Sequence, residues 1–156
     1  MTKVYVAGPM CTRSYEVEET NGIPLGVIVT AETQDETGMT ISLPADNASE
    51  CLGVLYAGDF KGKFGAVTIT GTGVGTAKTQ NTVANGDKGT VIMRGSGAVV
   101  ECFASTTNIS AGLAVKVAAG GSVAVTTGNE APNQYIGTTL TAQASTSGKI
   151  QVLLNY

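Results

Sequence analysis

NGDKGTVIMRGSGAVVECFASTTNISAGLAVKVAAGGSVAVTTGNEAPNQYIGTTLTAQASTSGKIQVLLNY, residues 85–156, is the stretch whose reading decides the fold class. Short runs of β-formers recur along it: Val91-Ile92-Met93, Ala98-Val99-Val100, residues 114–117, 122–126, 135–140 and 150–154. Turn signals separate them at Gly86-Asp87, Gly95-Ser96-Gly97, Ala119-Gly120-Gly121, Gly128-Asn129 and residues 145–148. Gly and Asn tolerate the positive φ that tight hairpins require, so these are chain reversals with a mechanism. Strands this short at such regular spacing predict a compact all-β barrel or sandwich.

The pattern extends to the front of the chain. Residues 22–26 (GIPLG) feed a strand over 27–30, and a polar loop is expected over 32–38. Met39-Thr40-Ile41-Ser42-Leu43 alternates as a half-buried strand does, and Pro44 ends it. Strands are further expected at 50–56 and 66–70, with a turn-rich link at 58–65, for about 10–12 in all. Residues 71–86 (GTGVGTAKTQNTVANG) carry too many small polar residues to add much core and read as a long surface loop, with a weak edge strand at 79–83. One short helical turn is expected near Asp46, over 46–49. The domain reading is an N-terminal arm or edge strand (1–19) and a single β domain (20–156) made of a front half (20–70), the loop (71–86) and a back half (87–156).

The halves echo each other. Cys51-Leu52-Gly53-Val54-Leu55 lines up with Tyr135-Ile136-Gly137-Thr138-Thr139, 84 positions on, and Val27-Ile28-Val29 precedes the first motif much as Val115-Lys116-Val117 precedes the second. The strand at 67–69 would then match the closing strand at 150–154. A duplication and a chance likeness of β-hairpins both fit this pattern.

The order of the back-half pieces is also informative. A Gly-Asp turn leads to a strand, a Gly turn and a strand ending in Phe103. An Ile-Ser-Ala-Gly step at 109–112 follows, then the hairpin Val115-Lys116-Val117…Gly120-Gly121…Val123-Ala124-Val125, then Tyr135-Ile136-Gly137-Thr138-Thr139-Leu140, and last Ile150-Gln151-Val152-Leu153-Leu154. This arrangement resembles the small capsid cement, or head decoration, proteins of tailed bacteriophages, whose barrel ends in an Ile-Gly-x-x-x strand, a loop and a Val-x-Val-x-Leu strand. The resemblance covers the last half of the chain. It implies a protein of the virion's outer capsid surface, made in the host bacterial cytoplasm, with the major capsid protein and its own copies as partners. It also implies a homotrimer that clamps neighbouring capsid subunits. The competing reading is a virion surface or tail protein contacting the host, with carbohydrate as one possible ligand; the absence of Trp argues against it.

Composition bounds the chemistry. The 156 residues suffice for one domain with a real core. With 21 Gly, 13% charged residues and a net charge of −3, the chain lacks the electrostatic footprint of a nucleic-acid binder. Charge is uneven: residues 1–86 hold nine acids and five bases, residues 87–156 three acids and four bases. With 42% hydrophobic residues there are few charges to cover a thin barrel, which favours self-association. No run approaches the roughly 20 apolar residues of a membrane helix, and no signal peptide is read at the N-terminus, so no membrane partner is expected. Cys11, Cys51 and Cys102, odd in number and far apart, are expected to be reduced and buried.

Tests for catalytic motifs fail one by one, and no enzyme, cofactor or metal site is expected. The chain has no His, which removes the Ser-His-Asp and Cys-His arrangements and the usual zinc ligand sets. Residues 58–64 (GDFKGKF) have the wrong glycine spacing for a phosphate loop, and Phe64 stands where a hydroxyl would hold Mg²⁺. Gly71, Gly73 and Gly75 are misplaced for a dinucleotide fingerprint. Asp35, Asp46 and Asp59 lack calcium-loop spacing. Glu101 with Asp87 or Asp59 could form a carboxylate couple, but acids on strands usually face water. The remaining candidates lie in the arm: Val4, Tyr5 and Val6 as a strand added to a partner, and Arg13 and Tyr15 as further capsid or subunit contacts.

Overall fold

The computed structural model describes residues 4–36, 38–46, 50–58, 82–105, 108–143 and 148–156. Its strands, in chain order, are β1 (Tyr5–Ala7), β2 (Thr12–Val17), β3 (Ile23–Pro24), β4 (Ile28–Asp35), β5 (Gly38–Ser42), β6 (Gly53–Gly58), β7 (Thr82–Val83), β8 (Lys88–Met93), β9 (Val99–Phe103), β10 (Ala114–Val117), β11 (Val123–Val125), β12 (Tyr135–Thr139) and β13 (Lys149–Leu153). Two 3₁₀ turns, η1 (Ala119–Gly121) and η2 (Pro132–Gln134), interrupt them. The described residues contain no α-helix, and no helix is long and apolar enough to cross a membrane. The all-β class read from the sequence is the class observed.

Five strands close a barrel in the order β2-β5-β4-β6-β8. A second sheet runs β1-β9-β13-β12-β10-β11. A parallel bridge between Ala104, just past β9, and Val123 of β11 brings the ends of its last five strands together. These five strands therefore form a second barrel, closed by one bridge, with β1 laid along the outer edge of β9.

The two barrels follow one plan. The first strand of each pairs antiparallel with the fifth: β2 with β8, and β9 with β13. The fifth pairs with the fourth, the fourth with the second and the second with the third, all antiparallel. The third returns parallel to the first, through Val17↔Ile41 in one barrel and Ala104↔Val123 in the other. Individual bonds repeat too. Glu18 N donates to Ile41 O at 2.9 Å, and Ser105 N donates to Val123 O at 2.8 Å. Gly26 N bonds Leu55 O and Leu55 N bonds Val27 O, at 2.8 and 2.9 Å; Gly112 and Thr139 with Leu113 repeat this pair at 2.7 and 2.9 Å.

The repeat is written most plainly in residues 22–31 (GIPLGVIVTA) and 108–117 (NISAGLAVKV), 86 positions apart. Both begin on a positive φ, 74° at Gly22 and 59° at Asn108, and both turn through a glycine, at 88° for Gly26 and 83° for Gly112. Asn is the non-Gly residue best able to occupy that region. Ile23 and Ile109 are both buried, and each lies in a short antiparallel bridge, to Val83 and Gln143 respectively.

The structure corrects the sequence reading in several places. Residues 88–93, assigned to the back half, are β8 and complete the first barrel. The closing strand of the first repeat is therefore β8; the strand expected at 67–69 lies outside the described residues. Of the edge strand expected at 79–83, Thr82 and Val83 form β7, and 79–81 lie outside the description. The polar loop expected over 32–38 is largely hairpin: β4 continues to Asp35 and pairs with Gly38 of β5. Exposed hairpin strands need only backbone partners, so hydrophobic patterning missed them. The helical turn expected at 46–49 falls mostly on 47–49, outside the described residues.

The N-terminal arm is corrected as well. β2 is a member of the closed barrel, flanked by β8 and β5, and β1 is an edge strand paired with β9. Val4 and Val17, 2% and 1% exposed, belong to one apolar core cluster that spans both barrels. Fully buried side chains such as Ile28, Ile92, Ile136 and Ile150 anchor that core, each contributing about 1.5–3 kcal/mol relative to exposure.

Candidate functional surface

The arm residues fall into two groups. Val4 is inside the core, where no partner can reach it. Tyr5 is half-buried: its ring meets Tyr56 edge-on, with centroids 6.5 Å apart, and its hydroxyl donates to Gly8 O at 2.7 Å. Val6 is half-buried beside it on the edge strand. Arg13 and Tyr15, on β2, come out differently: Arg13 is exposed, while Tyr15 is half-buried with its hydroxyl 3.8 Å from Met93 Sδ. β2 meets β5 only at Glu16 and Val17. Beyond that seam lies a cleft of about 290 Å³ lined by Ser14, Tyr15, Glu16, Met39, Thr40 and Lys88.

Among the described residues, no cluster of three or more His, Cys, Asp or Glu side chains could hold a metal ion. Cys51 and Cys102 are buried free thiols, as expected, but Cys11 is exposed. It follows the Gly8-Pro9 break between β1 and β2, where residues 8–13 are exposed. Burial pushes the Cys51 thiol up to about 12 against a smaller opposing pull from Arg94, and burial pushes Cys102 up as well. Both are therefore neutral, unreactive core groups. Glu101 sits mid-strand on β9, opposite Gln151 of β13. Asp87 lies in the turn before β8 and has one buried carboxylate oxygen with no hydrogen-bond partner. Asp59 is outside the described residues.

Sequence reasoning missed a carboxylate with several short bonds. Glu130 accepts from Lys116 Nζ at 2.8 Å, from Thr127 N and Oγ1 at 2.6 and 2.7 Å, and from Gly128 N at 2.8 Å. The Lys116 ammonium, followed by the Thr127 donors, holds its carboxyl well below the usual range. The arrangement ties residues 127–130 to β10 and fixes the approach to η2 and β12. A Thr-x-x-Glu spacing was the available signal. Its carboxylate bonds its own loop, Lys116 of β10 and, at 3.5 Å, the Tyr135 hydroxyl of β12, so this is a structural clasp. Among the described residues, four large apolar side chains stand exposed: Met10, Leu113, Leu140 and Tyr156. Leu113 and Leu140 flank Thr139, whose N–H donates to Leu113 O. Tyr156 lies against Tyr135, with centroids 5.3 Å apart.

A surface built of rigid strands, short turns and scattered apolar side chains is suited to binding. The crystal structure of the head fiber gp8.5 N base of bacteriophage phi29 superposes with a TM-score of 0.54 at 14% identity, over 92% of this chain and 94% of that one. At that identity the likeness concerns the fold. No curated protein matches the sequence. The family model described as phage cement protein matches residues 60–154, more than half of the chain, from the segment before β7 to the closing strand. This protein therefore belongs to the phage cement protein family.

Proposed function

We propose that the protein is a head decoration protein that binds the outer surface of the expanded capsid and bridges neighbouring major capsid subunits as a homotrimer, catalysing no reaction. The family match over 60–154 carries this reading. The architecture supports it physically: two barrels sharing one core make a stiff body, and a clamp must transmit force without deforming. Tyr5, Val6, Arg13 and Tyr15 remain the contact candidates from the N-terminal segment; Val4 is withdrawn because it is buried. Electron microscopy of expanded heads mixed with the protein should show density on the outer surface at threefold or quasi-threefold positions. Bare heads at saturating protein would overturn the reading.

A host-contact role is the second reading, supported by the exposed Tyr156 ring on Tyr135. Aromatic faces of this kind stack on sugars, and saturable glycan-array binding lost in Tyr156→Ala would favour it.

A further inference from the structure

The repeated barrels meet through unlike faces. The first presents the turn at 22–28. Val4 and Phe103 side-chain atoms and Glu101 O lie 3.5–3.7 Å from where a Gly26 Cβ would stand, and Gly121 of η1 abuts Val27 and Ile28. Gly120 N donates to Pro44 O at 3.0 Å. Leu25 and Val27 are consequently 3% and 6% exposed, and Tyr56 is covered by Tyr5. The second barrel thus grips the first with β9, the strand β1 beside it, and the β10–β11 turn.

The second barrel carries the same turn, and among the described residues nothing is seated on it. Gly112 has Gly26's φ and hydrogen bond, yet among the described residues no atom lies within 4 Å of its would-be Cβ. Leu113 occupies Val27's place and is 36% exposed; Leu140 occupies Tyr56's place and is 44% exposed. The complementary grip lies on the first barrel, and among the described residues no other element covers it. Counting from the equivalence of Val17 and Ala104, Ser14 and Glu16 of β2 stand where Glu101 and Phe103 stand on β9. The β4–β5 hairpin stands where η1 does. The 290 Å³ cleft lies between these elements, with Met39 half-exposed at its edge.

We propose that the bare turn at 110–113, with Leu140, is the seat for the first barrel of a second copy of this chain. Copies then join head to tail, repeating between chains the contact that joins the barrels within one. The fold itself supplies the template, which a back-to-back meeting of two bare turns lacks. Such a contact is heterologous: two different patches meet, and it closes into a ring if the rotation permits. The proposal rests on the repeat alone and does not require capsid binding.

The test uses the full chain carrying Cys11→Ser, which removes the exposed thiol. One version adds Leu113→Cys and another Met39→Cys. Under mild oxidation the mixture should yield a two-chain disulfide product well above that of either version alone. In sedimentation, the wild type should exceed monomer mass at micromolar concentration, and Leu113→Glu with Leu140→Glu should return it to monomer with an unchanged melting curve. Strong cross-linking of Leu113→Cys with itself would overturn the head-to-tail contact, as would a wild type that stays monomeric with no mixed product. Head binding by the same variants is scored separately, so failure of this contact and failure of the cement reading remain distinguishable.

Discussion

The first and second barrels share strand order, pairing sense and several hydrogen bonds residue for residue, yet few of their side chains are the same. What recurs is what the backbone demands. Gly53 and Gly137 show this best. Each sits at ordinary φ in the fourth strand of its barrel, facing Val29 in one case and Val115 in the other. A Cβ at Gly53 would run into Ile92 O and Val91 Cγ1; at Gly137 it would run into Leu153 O and Val152 Cγ1. The barrels differ in what covers them. The first has its turn buried under the second and its acidic hairpin in water. The second has β1 along the outer edge of β9 and its loop at 127–130 clasped by Glu130, while among the described residues nothing covers its own turn. A repeated plan therefore need not carry a repeated role: one copy receives its neighbour, and the other keeps the same surface available.

The largest effect that would break this comparison is removal of the segment that serves both barrels. Deleting residues 1–19 takes the first strand from one barrel and the edge strand from the other, together with Val4 and Val17 from the core. The free protein should lose its cooperative unfolding transition in calorimetry or circular dichroism. An intact transition would show that the barrels do not depend on β1 and β2.

Next in size come the two glycines. Gly53→Ala and Gly137→Ala should each cost about 3 kcal/mol, because a rigid carbonyl and a Val methyl must both give way. In a chain of this size that is a fall in Tm of roughly 6–12 °C. The two values should agree closely. A large loss at one site and none at the other would reduce the equivalence to topology.

The smallest effect separates the barrels, since only the second has the clasp. Glu130→Gln should lower Tm at neutral pH. Because the Glu130 pKa is depressed from 4.5 in the folded protein, its contribution is complete above that value and is lost as pH falls through the depressed one. The Tm gap between wild type and Glu130→Gln should therefore narrow as pH drops below 4.5. A gap independent of pH would assign the loss to packing instead of charge.

Much of this was legible in the chain. Gly-bounded apolar runs gave the back-half strands nearly residue for residue, and the motif around Gly53 and Gly137 was aligned in its true register. The partner motif was aligned two residues out, since Val29, and not Val27, is the counterpart of Val115. Short aliphatic runs look alike under such shifts; hydrogen bonds distinguish them. The N-terminal segment was misread for a related reason. Thr12–Val17 is mostly exposed and polar, and its membership in a barrel comes from backbone pairing with β8, 76 residues away at Ser14↔Thr90.

The sequence by itself determined the strand-and-turn character, the all-β class with barrel and sandwich both open, the candidate repeat and the cement resemblance. All of these follow from local patterning, from where glycine is needed and from which apolar residues recur. Tertiary structure alone decided that β8 belongs to the first barrel, that Val4 is core, and that one copy of a repeated turn is covered while the other is bare. Covering is a relation between segments distant in the chain: Gly26 and Gly112 turn with nearly the same φ, and only the packing of β1, β9 and η1 against the first makes them differ.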